Sequence, residues 1–171
     1  MDKLAVLRQY FGFPAFRAGQ QTLIDAVLSG RDALGVMPTG GGKSLCYELP
    51  ALLLPGMTLV VAPLISLMKD QVMALRNAGI PAGCINSSMS LDELRETYRD
   101  ACYGAYKLLY VAPERLLTDG FCSLAQELEI PLVAVDEAHC ISQWGQDFRP
   151  SYLKIVEFLQ RLPRRPAVAA F

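Results

Sequence analysis

The most constraining feature of this sequence is a series of short, continuous apolar runs separated by segments long enough to form helices. The runs are Ala33–Met37, Thr58–Ala62, Gly83–Ile85, Leu108–Ala112, Pro131–Val135 and Ala167–Phe171. Strands that are apolar without alternation are typical of sheets buried on both faces, and helical segments between them are typical of βαβ units. The pattern therefore predicts an α/β fold with a mainly parallel central sheet.

The segments between these runs predict helices at Gly42–Leu54, Leu64–Asn77, Ser90–Tyr103, Phe121–Leu128 and Tyr152–Arg161. Ser90 with Glu93 three residues later is a capping-box pattern, which marks a helix start. The chain has 171 residues, without an internal repeat or a linker, so we expect residues 1–171 to form a single domain. Because the last apolar run stops in mid-pattern at Phe171, we expect that the domain is cut short there.

Composition narrows the classes of protein further. Apolar residue types make up 52% of the chain, charged types make up 19%, and the formal net charge is −1, which excludes disorder as the main state. With an isoelectric point near 5.8, the chain has no global positive field, so any nucleic-acid binding must use a local patch. The five scattered cysteines, the single histidine and the lack of a CxxC pair predict no zinc site and favour a reducing cytoplasm.

One stretch has the length of a membrane span. Residues 49–68 carry no charge, but Pro50, Pro55, Gly56 and Pro63 interrupt them. Since Pro-Gly is a turn signal, the stretch predicts a buried helix, a turn and a strand rather than a span. The amino-terminus also lacks the apolar core of a secretory signal.

In an open parallel sheet, ligands bind beyond the carboxyl ends of the strands. This rule directs attention to the loops Pro38–Lys43, Pro63–Met68, Asn86–Ser88, Pro113–Leu116 and Asp136–Trp144. Most of the candidate binding and catalytic residues of this chain lie in these loops. We therefore expect one functional edge of the sheet.

The first of these loops carries a glycine-rich phosphate-binding pattern. The strict GxxxxGK[ST] pattern fails at Met37, but its core is intact, and it follows a predicted strand and precedes a predicted helix. Glycines let backbone N–H groups converge on an anion, a lysine reaches the β- and γ-phosphates, and a serine hydroxyl binds Mg²⁺. The alternative is a flexible turn with a surface lysine. The predicted nucleotide contacts are Thr39, Gly40, Gly41, Gly42, Lys43 and Ser44, with Ser44 also a metal contact.

An acidic pair ends another apolar strand. Asp136 lies where P-loop enzymes place a further Mg²⁺ contact, and Glu137 is placed to orient and deprotonate an attacking water. His139 is a candidate for coupling this site to neighbouring segments. The alternatives are two solvated carboxylates and a satisfied interior histidine. Combined with the phosphate loop, the pair favours nucleotide hydrolysis, with Lys43, Asp136, Glu137 and His139 as its catalytic candidates.

Together these motifs resemble the first motor domain of superfamily 2 helicases, most closely that of RecQ-type DNA helicases. The resemblance rests on residues Phe11–Gln20, Met37–Tyr47, Ala62–Gln71, Tyr110–Arg115, Asp136–Gly145 and Asp147–Pro150. DEAD-box RNA helicases would carry an aspartate at position 139 and would lack the segment around Trp144. An RNA helicase remains the rival enzyme class.

The resemblance implies a three-layer RecA-like P-loop NTPase domain that uses ATP and Mg²⁺. It implies an ATP-dependent 3′–5′ DNA helicase of recombination and repair, in the cytoplasm or at the nucleoid or nucleus, with no membrane partner. Its expected partners are single-stranded DNA, duplex junctions and a second RecA-like domain with the arginine finger, which is absent from this chain. Without that domain, we expect the isolated chain to be a nucleotide- and DNA-binding module with little activity.

The resemblance also implies residue roles. Arg17 and Gln20 match the adenine-recognising segment, and the aromatic loop, defined here as residues 141–152, matches the segment that couples single-stranded DNA to ATP hydrolysis. The implied DNA-contacting and coupling residues are Ser66, Lys69, Arg115, Trp144, Phe148 and Arg149. Ordinary surface positions are the alternative for Ser66, Lys69 and Arg115, and packing is the alternative for Trp144. The chain departs from the family at Glu48, where glutamine is usual, and at Gln146 and Ser151.

Overall fold

The central feature of the fold is a six-stranded, all-parallel sheet with the order β1-β6-β5-β2-β4-β3. The computed structural model describes residues 2–38 and 40–171. The strands are β1 (Ala33–Leu34), β2 (Thr58–Val61), β3 (Ala82–Ile85), β4 (Leu108–Val111), β5 (Leu132–Val135) and β6 (Ala167–Ala170). The predicted parallel α/β class is confirmed.

Helices cover both faces of this sheet and give three layers. They are α1 (Lys3–Phe11), α2 (Gln20–Leu28), α3 (Leu45–Leu53), α4 (Ile65–Asn77), α5 (Leu91–Cys102), α6 (Asp119–Glu127) and α7 (Lys154–Arg161), with 3₁₀ turns at Pro113–Arg115, Ala138–Ile141 and Pro150–Leu153. Buried residues of α2, α3 and α4 pack on one face, and those of α5, α6 and α7 pack on the other. This two-sided burial explains why the strands are apolar without alternation.

The helices predicted from sequence are all present, with shifted bounds, but α1 and α2 were missed. The predicted start at Gly42 was wrong, because residues 43 and 44 form a turn before α3 begins at Leu45. The predicted start at Tyr152 was wrong because Pro150–Leu153 is a 3₁₀ turn that precedes α7. The capping box of Ser90 and Glu93 is confirmed at the start of α5.

The first strand is shorter than its apolar run. After Leu34, the Gly35 N–H donates one more hydrogen bond to the Ala170 carbonyl at 2.8 Å, and the chain then leaves the sheet toward the phosphate loop. A Cβ at position 35 would lie 2.8 Å from the Phe171 ring, so this exit needs glycine. The predicted continuation of the strand to Met37 was therefore wrong.

The uncharged stretch at residues 49–68 folds as predicted. It contains the end of α3, a turn at Pro55–Gly56, and β2. Among the residues that the structure describes, no helix is both long enough and apolar enough to cross a bilayer.

Parallel pairing brings all the strand carboxyl ends to one edge of the sheet. The phosphate loop follows β1 and the acidic pair follows β5, with β6 between these strands. The chain from β1 to α3 thus crosses the end of β6 and approaches β5. This topology places the two motifs next to each other.

Candidate active site

The phosphate loop and the acidic pair meet at the carboxyl edge of the sheet. The Lys43 Nζ lies 3.2 Å from Glu137 Oε1 and 4.0 Å from Asp136 Oδ1. Lys43 and Glu137 are 94 positions apart in the chain, and the lysine is partly buried where it meets the carboxylates. The structure therefore joins one cation and two carboxylates in a single cluster.

The glycines of the phosphate loop have conformations that other residues rarely adopt. Gly40 and Gly42 have φ angles of +76° and +79°. A Cβ at Gly41 would lie 2.8 Å from the Pro38 carbonyl oxygen. The loop is thus a tight backbone cradle whose shape depends on these glycines. Thr39, also predicted as a nucleotide contact, lies outside the described residues.

Two residues, Arg17 just before α2 and Gln20 at its first position, hydrogen-bond to this cradle. The Arg17 guanidinium donates to the Gly40 carbonyl at 2.7 Å, and the Gln20 amide donates to the Gly42 carbonyl at 3.1 Å. The Gln20 side-chain oxygen accepts from the Arg17 backbone N–H at 2.8 Å, and Gln20 is only 3% exposed. The structure thus brings both predicted adenine-recognition residues against the phosphate loop.

A cleft of about 380 Å³ opens between this segment and the phosphate loop. It is lined by Phe11, Phe13, Ala15, Arg17, Gln20, Gly40, Gly42, Lys43, Ser44, Leu45 and Glu48. Aromatic side chains beside a glutamine amide offer both an apolar face and hydrogen-bonding groups to a planar heterocycle. Phe16, by contrast, packs against the apolar cluster of α1, α2 and α3.

The backbone at the acidic pair is unusual. Glu137 has a φ of +52°, the only positive φ of a non-glycine residue in the described part of the chain. Its N–H donates to Asp136 Oδ1 at 3.0 Å, and the next N–H, of Ala138, donates to the Phe171 carbonyl at 2.7 Å. A left-handed backbone conformation costs a glutamate about 1 kcal/mol, so the surrounding contacts must stabilise this conformation. Strain of this kind is concentrated at functional sites.

Asp136 is held in a buried position. Its side chain is 5% exposed, and this burial raises its pKa, an effect that the Lys43 ammonium opposes. The backbone carbonyl of Asp136 accepts a hydrogen bond of 2.7 Å from the buried hydroxyl of Tyr152. The aromatic loop therefore stabilises the backbone of the acidic pair through this hydrogen bond.

Removal of that hydroxyl has a predictable effect. We expect Tyr152→Phe to lower the free energy of unfolding by about 1–3 kcal/mol, because a buried carbonyl loses its partner. Urea unfolding followed by circular dichroism measures this change. Tyr103→Phe is the control, since Tyr103 is 84% exposed, and equal stabilities of the two variants would contradict the prediction.

His139 links the acidic pair to the aromatic loop. Its Nδ1 lies 3.4 Å from Glu137 Oε2, and its Nε2 lies 3.6 Å from Asp147 Oδ2. The imidazole is half exposed, so it is not a satisfied interior histidine. The contacts place one side chain between a carboxylate of the acidic pair and a carboxylate of the aromatic loop.

The aromatic loop presents its tryptophan to solvent. Trp144 is 98% exposed, which excludes packing as its role in this structure, and Phe148 is half-buried. Arg149 is exposed, and its guanidinium lies 3.5 Å from the carbonyl of Pro63, two residues after the end of β2. The loop thus offers an aromatic surface and a cation beside a neighbouring strand end.

The other predicted DNA contacts lie along the same edge. Ser66 and Lys69 are exposed in the first turns of α4. Arg115 is half-buried and donates to the Asn86 carbonyl at 3.2 Å, which fixes it between the ends of β3 and β4. Of these three residues, only Arg115 makes a side-chain hydrogen bond or ion pair with another residue that the structure describes.

The donors present fit magnesium held with a nucleotide. Mg²⁺ keeps several waters and is bound through one or two carboxylates together with substrate phosphates. Ser44 follows the cradle, and the carboxylate of Asp136 lies 4.0 Å from the ammonium of Lys43, the residue before Ser44. In the described part of the chain, no group of three or more His, Cys, Asp or Glu side chains is arranged to hold a metal by itself. The few protein donors at this site are compatible with a metal ion whose remaining ligands are phosphate oxygens and waters.

The profile of the DEAD/DEAH box helicases matches residues 17–171. This chain belongs to that family. It is 51% identical over 167 residues to the ATP-dependent DNA helicase RecQ of Bacillus subtilis, and 49% identical over 166 residues to that of Haemophilus influenzae. Each alignment covers 97% of this chain but only 28% and 27% of the relatives. The chain thus spans little more than a quarter of their length.

Solved structures show the same fold. A hypothetical ATP-dependent RNA helicase from Sulfolobus tokodaii aligns with a TM-score of 0.72 at 22% identity, covering 99% of this chain and 49% of that one. The helicase MrfA bound to DNA and AMPPNP aligns with a TM-score of 0.75 at 16% identity, covering 99% of this chain and 26% of that one. The expected RecA-like helicase architecture is confirmed by these likenesses.

Three site features escaped prediction from sequence. Asp147 was part of the family resemblance, but its contact with His139 was not foreseen. Tyr152 was taken for the start of a helix, whereas its hydroxyl supports Asp136. Glu48 was noted only as a departure from the family, yet it lines the cleft. The spacing of residues along the chain does not indicate such contacts. The one available signal is a charged residue in an apolar stretch, as at Glu48.

Proposed function

We propose that this chain is the ATP-binding first motor domain of a RecQ-type DNA helicase that couples ATP hydrolysis to 3′–5′ unwinding in recombination and repair. The observation that supports this most is the contact of Lys43 with both carboxylates of the acidic pair, beside a cleft bounded by Arg17 and Gln20. The strong identity to RecQ helicases supports the DNA substrate.

In this proposal the cleft binds ATP. Phe11 and Phe13 contact the base, and Gln20 reads the adenine edge once its amide is released from the Gly42 carbonyl. The backbone N–H groups of the phosphate loop and the ammonium of Lys43 bind the phosphates. Ser44 and Asp136 hold the magnesium ion, which when bound neutralises phosphate charge.

Glu137 accepts the proton of the attacking water. In the structure its carboxylate is paired with Lys43 at 3.2 Å. Because triphosphate competes for the lysine, nucleotide binding frees the glutamate for the water. The side chain of Glu137 is partly buried at the end of β5, where its backbone has a left-handed conformation.

DNA acts on this site through the aromatic loop. Aromatic faces stack on bases, and an arginine binds phosphate or stacks in turn, which suits Trp144, Phe148 and Arg149 for single-stranded DNA. Ser66, Lys69 and Arg115 bind the DNA backbone along the same edge. Movement of the loop on DNA shifts Asp147 relative to His139, and His139 then repositions Glu137.

This coupling gives a direct prediction. In a longer protein that joins residues 1–171 to a second RecA-like domain, Trp144→Ala and Arg149→Ala are expected to abolish stimulation of ATP hydrolysis by single-stranded DNA. The DNA-free rate should stay within about two-fold of wild type, because neither side chain lines the cleft. A colorimetric phosphate assay with and without DNA measures both rates. Val156→Ala is the control, and persistence of full stimulation in the two variants would refute the coupling.

The proposed function as a whole is tested by comparing residues 1–171 with the longer protein. The second domain supplies the arginine finger, which is worth about 10³–10⁵ in turnover, so we expect nucleotide binding but little hydrolysis and no unwinding by the shorter chain. The longer protein should unwind a duplex with a 3′ single-stranded tail. Stronger stimulation by single-stranded RNA than by DNA would favour an RNA helicase instead.

A further inference from the structure

A carboxylate outside the acidic pair lines the nucleotide cleft. Glu48 lies in the first turn of α3, and its N–H donates to the Ser44 carbonyl at 2.8 Å. Its side chain lines the same cleft as Lys43 and Ser44. A helix position one turn after a metal-binding hydroxyl lies on the same helix face as that hydroxyl.

Contacts from the sheet hold this carboxylate in place. The Tyr110 hydroxyl, from β4, lies 3.4 Å from Glu48 Oε1. Tyr47, the preceding residue, is fully buried, and its hydroxyl has no hydrogen-bond partner among the residues that the structure describes. Burial raises the pKa of Glu48, and the negative charge of Asp136 raises it further. Glu48 is therefore a half-buried carboxylate that contacts Tyr110 and lies within the electrostatic influence of Asp136.

We propose that Glu48 is a positioning residue of the magnesium site, whose carboxylate would accept a hydrogen bond from one of the waters that Mg²⁺ retains when it is bound with nucleotide in this cleft. This inference rests on the proposed function, since it requires a nucleotide-bound magnesium ion in the cleft. Mg²⁺ retains several waters, and those waters need acceptors. A half-buried carboxylate that lines the cleft and contacts the Tyr110 hydroxyl supplies such an acceptor. The glutamine usual in the family has an amide oxygen without the charge.

The proposal predicts opposite effects on nucleotide binding that requires Mg²⁺ and on nucleotide binding without Mg²⁺. In Glu48→Gln, the Mg²⁺ concentration that half-saturates binding of a fluorescent ATP analogue is expected to rise by about 10-fold, as is typical when an outer-shell partner is removed. In EDTA, the same variant is expected to bind the nucleotide as well as or better than wild type, because a negative charge near the phosphates is gone. A purely structural role would weaken both kinds of binding together.

The experiment is a titration of Mg²⁺ into the 171-residue chain at fixed fluorescent nucleotide. Glu127→Gln is the matched control, since Glu127 is exposed at the end of α6, outside the cleft, and should behave as wild type. Tyr110→Phe removes the hydroxyl that orients Glu48 and should shift the Mg²⁺ midpoint in the same direction by less. Urea unfolding of each variant shows whether its fold is retained.

The outcomes separate the inference from the function beneath it. If wild type shows Mg²⁺-dependent binding and Glu48→Gln has the same midpoint, the role of Glu48 is wrong and the proposed function stands. If Glu48→Gln also binds nucleotide more weakly than wild type in EDTA, the role of Glu48 is structural and the inference again fails. If wild type binds no nucleotide at any Mg²⁺ concentration, both proposals fail together.

Discussion

Glu137→Gln is expected to lower ATP turnover by about 10²–10⁴-fold, because the variant lacks the carboxylate that we propose as the general base for the attacking water. The assay uses the longer protein with a second RecA-like domain, in saturating single-stranded DNA. The amide keeps the size of the side chain and an oxygen that accepts from Lys43, which lies 3.2 Å from Glu137 Oε1. Nucleotide affinity should therefore hold or increase while turnover falls.

The matched control is Glu96→Gln on α5, an exposed glutamate whose loss should leave turnover unchanged. Two measurements are needed, steady-state phosphate release and equilibrium binding of a fluorescent nucleotide. If binding and turnover fell in parallel, the loss would reflect a damaged cleft rather than a missing base. Turnover near the wild-type rate would remove Glu137 from the reaction.

Phe158→Ala is expected to lower the free energy of unfolding by about 3–5 kcal/mol, the usual cost of removing a buried aromatic ring. Phe158 is 1% exposed, and its ring centroid lies 5.5 Å from that of Phe121. These two rings join α7 and α6 over one face of the sheet. Urea unfolding monitored by circular dichroism measures the change.

Val156→Ala, on the same helix, provides the comparison. Val156 is 54% exposed, so its truncation should change stability by less than about 0.5 kcal/mol. The difference between the two variants isolates the contribution of the buried face of α7. A loss below about 1 kcal/mol for Phe158→Ala would mean that α7 is not firmly packed on the sheet.

The parallel sheet and the phosphate loop were predictable because each depends on local pattern. Apolar runs such as Leu108–Ala112 and Pro131–Val135 can be buried only between two layers, and a helix-length spacer leaves little choice but parallel pairing. The glycines at positions 40–42 signal a backbone that other residues cannot adopt. The helices α1 and α2 were missed because their apolar residues are interspersed with polar ones in short segments near the amino-terminus.

Contacts between distant loops were not predictable in the same way. His139 lies near Asp147, and Tyr152 donates to the Asp136 carbonyl, because a 3₁₀ turn folds the chain back beneath the acidic pair. Likewise, the polar group at Glu48 acquires its partner only when α3 lies over β4. None of these pairs has a characteristic spacing along the chain.

The sequence by itself determined which residues could bind a phosphate, hold a metal or activate water, because the residue types and their local backbone carry that information. Only the tertiary structure decided that Lys43 meets Asp136 and Glu137. That meeting depends on the order of the strands in the sheet, in which β6, the last strand in the chain, lies between β1 and β5. Strand order is set by the packing of whole layers, and local sequence does not encode it.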